Sequence, residues 1–447
     1  MVVAALSASS AFAGPGDHIQ VSDTTEITPS IAAGVEFRSN SYLAVGAVQS
    51  DKQVDQAIPS VNFLLRPKFK ISHESAKANF SFDGVYELRK WFNPELAANL
   101  DRFSDFTVDT RLDLFPTGKV GFRIGDGAVL KNRESDNQWR GNALLTQLRN
   151  DLSSSIVIRP GPDFDVEVGF GWGWHNYKVP GADEQRPLNT RNSYAPSLNL
   201  HWRFFPNTAF VVETTYQRNT WTTNWIPTNE TTGPSDVGIG AVRSYGDFLA
   251  KPDSDFFKAM SGIRGRVTRE FVLHAMVGWG LGRYSLQSVA EESAANPGIG
   301  SEADPARAGF DANVKGSDGL LVMLRAQVDL GFSTQRPFGQ SLEVMYRKDF
   351  QDSFFTNYVH QHHVRGGVQS RWGRYLTTNV GFGPRFEEYH GEVARRDIFL
   401  RFDYALKIVP TSYLSIDFGG FWAERASSQT DIQYDNFQAS GLLTFTY

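Results

Sequence analysis

Apolar and polar residues alternate along most of this chain with a period of two. That is the spacing of β-strands whose two faces meet different surroundings. In the last segment Phe437, Ala439, Gly441, Leu443, Phe445 and Tyr447 point one way, and Gln438, Ser440, Thr444 and Thr446 the other. Ile398, Leu400, Phe402, Tyr404, Leu406 and Ile408 alternate with Phe399, Arg401, Asp403, Ala405 and Lys407. Val322 to Phe332 repeats the pattern against Met323, Arg325, Gln327 and Asp329, and Phe164 to Trp174 repeats it against Asp165, Glu167 and three glycines.

No helical period interrupts these runs, so no helical layer is available to cover their apolar faces. Lipid is the simpler cover. Backbone groups in lipid must all be paired, which forces the sheet to close. Turn signals carrying Pro or Gly, such as Phe115-Pro116-Thr117-Gly118, Arg159-Pro160-Gly161-Pro162, Arg336-Pro337 and Val409-Pro410, alternate with longer polar stretches near 41–56, 126–142, 178–190, 221–254 and 287–317. Short periplasmic turns and long extracellular loops are the expected asymmetry of an outer-membrane barrel. The segments between them predict strands near 25–40, 57–71, 77–92, 103–114, 117–130, 143–159, 163–177, 190–205, 207–221, 255–267, 270–286, 318–334, 339–350, 356–371, 374–389, 393–409, 411–425 and 430–447. The fold expected is therefore all-β, a transmembrane antiparallel up-and-down β-barrel of about eighteen strands, within a range of roughly sixteen to twenty. The even number puts both chain ends on the periplasmic side.

Composition agrees. Aromatics make up 13% of the 447 residues, cysteine is absent and the net charge is −5. Zero cysteine excludes disulfide frameworks and thiolate metal sites, and the charge gives no reason to expect nucleic acid. No run is long and apolar enough for a transmembrane helix. Ala11-Phe12-Ala13 reads as a small-x-small cleavage site, so residues 1–13 are expected to be the remnant of a signal peptide. Residues 14–24 are expected to be a short periplasmic segment, and 25–447 the barrel. So short a leading segment leaves no room for a plug domain. Trp202, Trp372 and Tyr447 near turns, with Trp172, Trp174 and Trp422 near loops, are candidates for aromatic girdles at the two membrane interfaces. Outer-membrane lipid is the implied surrounding, and the aromatic C-terminal strand the signal to the barrel-assembly machinery.

Alternation turns the charged residues inward. Acids at Glu36, Asp83, Glu87, Asp109, Asp113, Asp151, Asp165, Glu167, Glu213, Asp329, Glu343, Asp403 and Asp417 would line the lumen. So would bases at Arg38, Arg66, Lys68, Arg89, Arg111, Arg123, Arg149, Arg203, Arg264, Arg266, Arg325, Arg347, Arg365, Arg385, Arg401 and Lys407. They read as a hydrated conduit, as a salt-bridge mesh stiffening the wall, or as both. A barrel this wide has an interior that side chains cannot fill. Gly169, Gly171 and Gly173, with Gly278, Gly280 and Gly282, lie on the same inner face. Sheet curvature is the simpler account of them; a wall left smooth for an inserted loop or a passing polymer is the other. Of His360, His362 and His363, only 360 and 362 share a face, so at most a pair could meet a metal, and exposed loop histidines are the simpler reading. No cofactor, metal site or catalytic constellation is expected, because nucleophile elbows need strand-to-helix turns.

One resemblance adds to this. Pro29, Arg38-Ser39-Asn40-Ser41-Tyr42, Ser50-Asp51, Pro59 and Tyr86 resemble the N-terminal strands of outer-membrane β-barrel porins linked to exopolysaccharide and capsule export. The likeness covers roughly the first 120 residues. It implies passage of a polysaccharide, in Wzy-type secretion, with a periplasmic polysaccharide-export protein as partner. The alternatives are an uptake porin for small hydrophilic solutes and a blocked structural or surface-binding barrel.

Overall fold

The computed structural model describes residues 19–40, 59–93, 104–134, 144–178, 187–223, 253–284, 316–331, 338–353, 358–390, 394–428 and 433–447. The strands are β1 (Ile19–Ser22), β2 (Thr25–Arg38), β3 (Ser60–Glu74), β4 (Ala78–Trp91), β5 (Asp105–Leu114), β6 (Val120–Glu134), β7 (Leu144–Gly161), β8 (Phe164–Lys178), β9 (Pro187–Phe205) and β10 (Thr208–Thr223). They continue as β11 (Ser254–Arg266), β12 (Phe271–Tyr284), β13 (Gly316–Leu330), β14 (Phe338–Asp352), β15 (Tyr358–Trp372), β16 (Leu376–His390), β17 (Arg395–Thr411), β18 (Leu414–Ser427) and β19 (Tyr434–Thr446).

From β2 to β19 each strand pairs antiparallel with the next, and β19 returns to pair with β2 from Gln438↔Arg38 to Thr446↔Ser30. The wall is thus a closed antiparallel barrel of eighteen strands. Closure leaves no strand of the wall as an edge strand, which is what lets a sheet survive in lipid. At the seam the backbones approach closely: a Cβ on Gly34 would stand 1.9 Å from the Gly441 carbonyl oxygen.

All eighteen predicted strands are present, with shifted ends. The strand expected at 117–130 runs instead from Val120 to Glu134. Pro116 to Lys119 form the turn, tied by the Gly118 N–H donating to the Phe115 carbonyl at 3.0 Å, with Phe115 at φ +51°. The loops expected near 126–142 and 178–190 are shortened because β6 climbs to Glu134 and β9 already begins at Pro187. Most of 41–56, 221–254 and 287–317 lies outside the described residues, as do residues 1–18 with their expected cleavage site. The stretch expected to be a plain N-terminal segment holds β1, which doubles back onto β2 in the register Ile19↔Ile27.

There is no conventional core. Each strand from β2 to β19 presents an apolar side chain outward: Val35, Phe63, Tyr86, Phe106, Ile124, Leu152, Val168, Leu198, Phe210, Ile263, Val277, Leu324, Val344, Val368, Phe382, Phe402, Phe418 and Leu443 are all exposed. Scattered exposed leucines are ordinary on a soluble protein, but an uninterrupted apolar ring is not. Trp202, Trp372 and Tyr447 lie on this outer face at the short-turn rim and are about half-exposed. Trp172, Trp174 and Trp422 share its parity towards the loop rim and are partly covered.

Candidate functional site: the lumen and its narrowing

Period two places residues i and i+2 of a strand on one face, close enough for an arginine to fold onto a carboxylate. The lumen is built on that local pairing. Arg111 Nε lies 3.0 Å from Asp113, Arg89 2.6 Å from Glu87, Arg385 2.8 Å from Glu387 and Arg401 2.8 Å from Asp403. Arg149 pairs with Asp151, and Arg347 with Asp349, in the same way. Cross-strand pairs join neighbours: Arg66 to Glu87, Lys68 to Asp83 at 2.8 Å and Arg325 to Glu343 at 2.7 Å. Asp329 accepts from Gln327 and Ser341 at 2.8 and 2.7 Å. Asp109, Arg264 and Arg365 also sit at inward positions and carry no ion pair among the described residues.

Exposure divides the lumen. In its mid and short-turn parts many of the charges meet water: the side chains of Arg111, Arg325 and Lys407 are 58%, 52% and 54% exposed, while Asp165 is buried between Arg159 and Arg203. One inner wall patch there is concave, with a volume of 490 Å³, where Gly125, Gly169 and Gly171 bare the backbone beside Ser153, Ser155 and Ser197. Pairs in such a wet setting are worth little individually. We expect Arg325→Gln to move the reversal potential of a salt gradient towards cations, changing the permeability ratio by less than about twofold because water and salt screen the freed Glu343.

Towards the loop rim the inward charges are buried instead. On β2, Glu36 takes Arg38 at 2.8 Å, Arg89 of β4 at 3.5 Å and Gln438 of β19 at 2.7 Å. On β17 and β18, Asp397 accepts from Arg395 at 3.0 Å, Arg425 at 2.5 Å and Ser427 at 2.6 Å. The Arg395 guanidinium lies 4.1 Å over the Tyr389 ring, and the Tyr389 hydroxyl donates to Glu387 at 2.5 Å. Sequence reasoning missed Glu387, Arg395, Asp397 and Arg425. Extending the period-two assignment from Arg401 and Asp403 back through Phe399 would have found Asp397 and Arg395 on the same face.

The wall also splits near this rim. Pairing between β13 and β14 stops at Val322↔Lys348, although β13 starts at Gly316 and β14 runs to Asp352. The β14–β15 pairing continues to Asp352↔Tyr358, and β15–β16 to Tyr358↔His390. Phe350 has the same parity as lipid-facing Val344 yet is 1% exposed. Its ring packs on Phe256, which faces inward, at 5.9 Å between centroids. A Cβ on Gly280 would meet that ring at 2.5 Å. The described ends of this hairpin, Phe350–Ser353 and Tyr358–His360, which form its tip here, have left the cylinder and lie inside it, against the lumenal face of β11 to β13.

This decides two sequence readings. The glycine at 280 seats an inserted segment of the chain's own hairpin, so curvature is not the whole account of that track. His360 and His362 are strand residues and not exposed loop histidines. His360 bonds Ser317 Oγ at 3.0 Å and stacks on Phe350, while His362 Nδ1 lies 3.0 Å from the Tyr346 hydroxyl. Among the described residues no group of three His, Asp or Glu is placed to hold a metal ion.

Closure, the outer apolar ring and the charged wet interior settle the class of molecule. The chain is an eighteen-strand β-barrel of the Gram-negative outer membrane. No protein-family model matches it, and no curated protein matches it. Among solved structures it is similar to the outer membrane protein OpdK from Pseudomonas aeruginosa, at 11% identity over 94% of this chain and 99% of that one, with a TM-score of 0.43. It is similar to OpdQ of the same organism, at 10% identity over 95% and 98% with a TM-score of 0.40. OccAB2 from Acinetobacter baumannii is a third, at 8% identity over 95% and 98% with a TM-score of 0.44.

Proposed function

We propose that this barrel is a diffusion channel for small hydrophilic solutes, doing no chemistry on what it passes. The observation that carries the proposal is the contrast along the lumen. Paired charges stand in water through the middle, and near the loop rim an inward hairpin and buried ionic clusters lie on the lumenal side. A paired-charge wall offers hydrogen-bond donors and acceptors to a polar solute without a strong field of one sign. A bulky polymer needs a bore that is clear along its whole length, so the inward hairpin favours small solutes over the polysaccharide export that the N-terminal resemblance implies.

The test is reconstitution of the purified protein. In planar bilayers it should give discrete, voltage-tolerant conductance steps. In liposome swelling, monosaccharides and amino acids should enter and long dextrans should not. Passage of long polysaccharide at a comparable rate would restore the export reading, and a silent bilayer would favour a blocked barrel.

A further inference from the structure

The inward hairpin is held by contacts that the wall itself could not provide. Neighbouring strands are spaced at about 4.8 Å, so β10 lies roughly 19 Å around the wall from β14. Yet Asp352 Oδ2, at the end of β14, accepts from Asn219 Nδ2 at 3.2 Å and Trp221 Nε1 at 3.2 Å, both on β10. It also accepts from Ser254 Oγ of β11 at 2.8 Å. One turn of the pattern lower, Lys258 Nζ of β11 donates to Asp349 Oδ1 and to the Phe350 carbonyl, each at 2.6 Å. Its ammonium stands 5.2 Å from the Phe350 ring. These bonds are chords across the inside of the cylinder. Asn219, Ser254 and Asp352 are all buried, so water competes little for them.

Resting on the conduit reading above, we propose that Asp352 and Lys258 are positioning residues that latch the β14–β15 tip across the lumen, and that the latched tip sets the size limit of the channel. The anchors are of two kinds. Lys258 fixes the strand backbone and a carboxylate; Asp352 gathers neutral donors from two strands beyond. Between them Phe350 closes over Phe256, Tyr284 and Leu321 as an apolar seat. With both polar anchors removed, the tip keeps that seat and the His360 bond to Ser317 Oγ, and the hairpin can return towards the gap beside β13.

The chain has no cysteine, which makes a reversible lock available. In the protein carrying Lys258→Met, Ser254→Cys and Asp352→Cys, oxidation ties the tip to β11 and reduction frees it. Heat-modifiable migration confirms that the barrel is folded in both forms. The reduced form should conduct about twofold or more above the parent, because flow follows pore width, and should admit larger sugars. The oxidised form should return to the parental conductance and cut-off. In a second arm, Lys258→Met with Asp352→Ala should behave like the reduced form, while Asp352→Asn, which keeps an acceptor oxygen, should stay near the parent. A conducting parent whose oxidised and reduced variants match it in conductance and cut-off overturns the latch and leaves the conduit standing. Silence in every form overturns both. A silent parent with a conducting reduced variant supports the latch and shows a barrel that the tip shuts completely.

Discussion

Replacing Asp397 with alanine should destabilise the folded barrel by about 3–5 kcal/mol, the usual effect of removing one partner from a buried ionic cluster. Asp397 is 2% exposed, and it receives Arg395 and Arg425, whose side chains are themselves 0% and 3% exposed. Truncation leaves two guanidinium groups facing each other without their shared carboxylate, in surroundings that water hardly reaches. Ser427 loses its acceptor at the same time. The loss comes from stranded charge and not from lost volume. Asp397→Asn, which keeps the shape and one acceptor, should therefore fall well short of the alanine variant. Urea unfolding in lipid vesicles, followed by tryptophan fluorescence, measures both. An alanine variant within about 1 kcal/mol of the parent, the range of an exposed pair, would show that the cluster is hydrated.

Val344→Arg should cost about 2–4 kcal/mol, because it puts a cation near the middle of the lipid-facing band. Val344 is 58% exposed, so no protein neighbour is crowded by the change. On a water-facing surface the same substitution would be almost neutral. The adjacent Met345→Arg adds a charge to a face already lined by Arg347 and Glu343, and should be tolerated. The difference between two consecutive positions is the measurement. Equal tolerance at both would mean that water bathes both faces, and the membrane assignment would fall.

Strand positions were highly legible because one physical cause acts on every residue of the wall. A strand between lipid and water must alternate, and Thr208–Thr223 and Leu376–His390 differ from their expected ranges by only a residue or two. The i, i+2 pairs were legible for the same reason, since Arg401 and Asp403 cannot avoid sharing a face. The split of the wall was not legible. Alternation reports two unlike faces and does not say which face looks at lipid. Phe350 keeps the parity of Val344 while packing inside, so its pattern is unchanged when its surroundings are reversed. The available clue was chemical: Lys348, Asp352 and His360 carry polar groups at lipid-side parity near the loop rim. Buried clusters were hidden for a related reason. A charge at inward parity looks identical whether it meets water, like Arg325, or is buried on a carboxylate shared with a second arginine, like Arg395.

The seam between β2 and β19 has a consequence for how the molecule is made. Most pairings join segments that are adjacent in the chain, and these hairpins can form as soon as both strands exist. Arg38 and Gln438 cannot meet until nearly the whole chain has been synthesised. Until then two strand edges stand open, with unpaired backbone groups that invite pairing with other chains. Gly34 adds a further demand, since its approach to the Gly441 carbonyl leaves no space for a side chain at the meeting point. Biogenesis must therefore protect an incomplete sheet and deliver its last strand in register to its first, so a side chain added at Gly34 should trap the barrel open and sacrifice yield rather than the stability of molecules that have already closed.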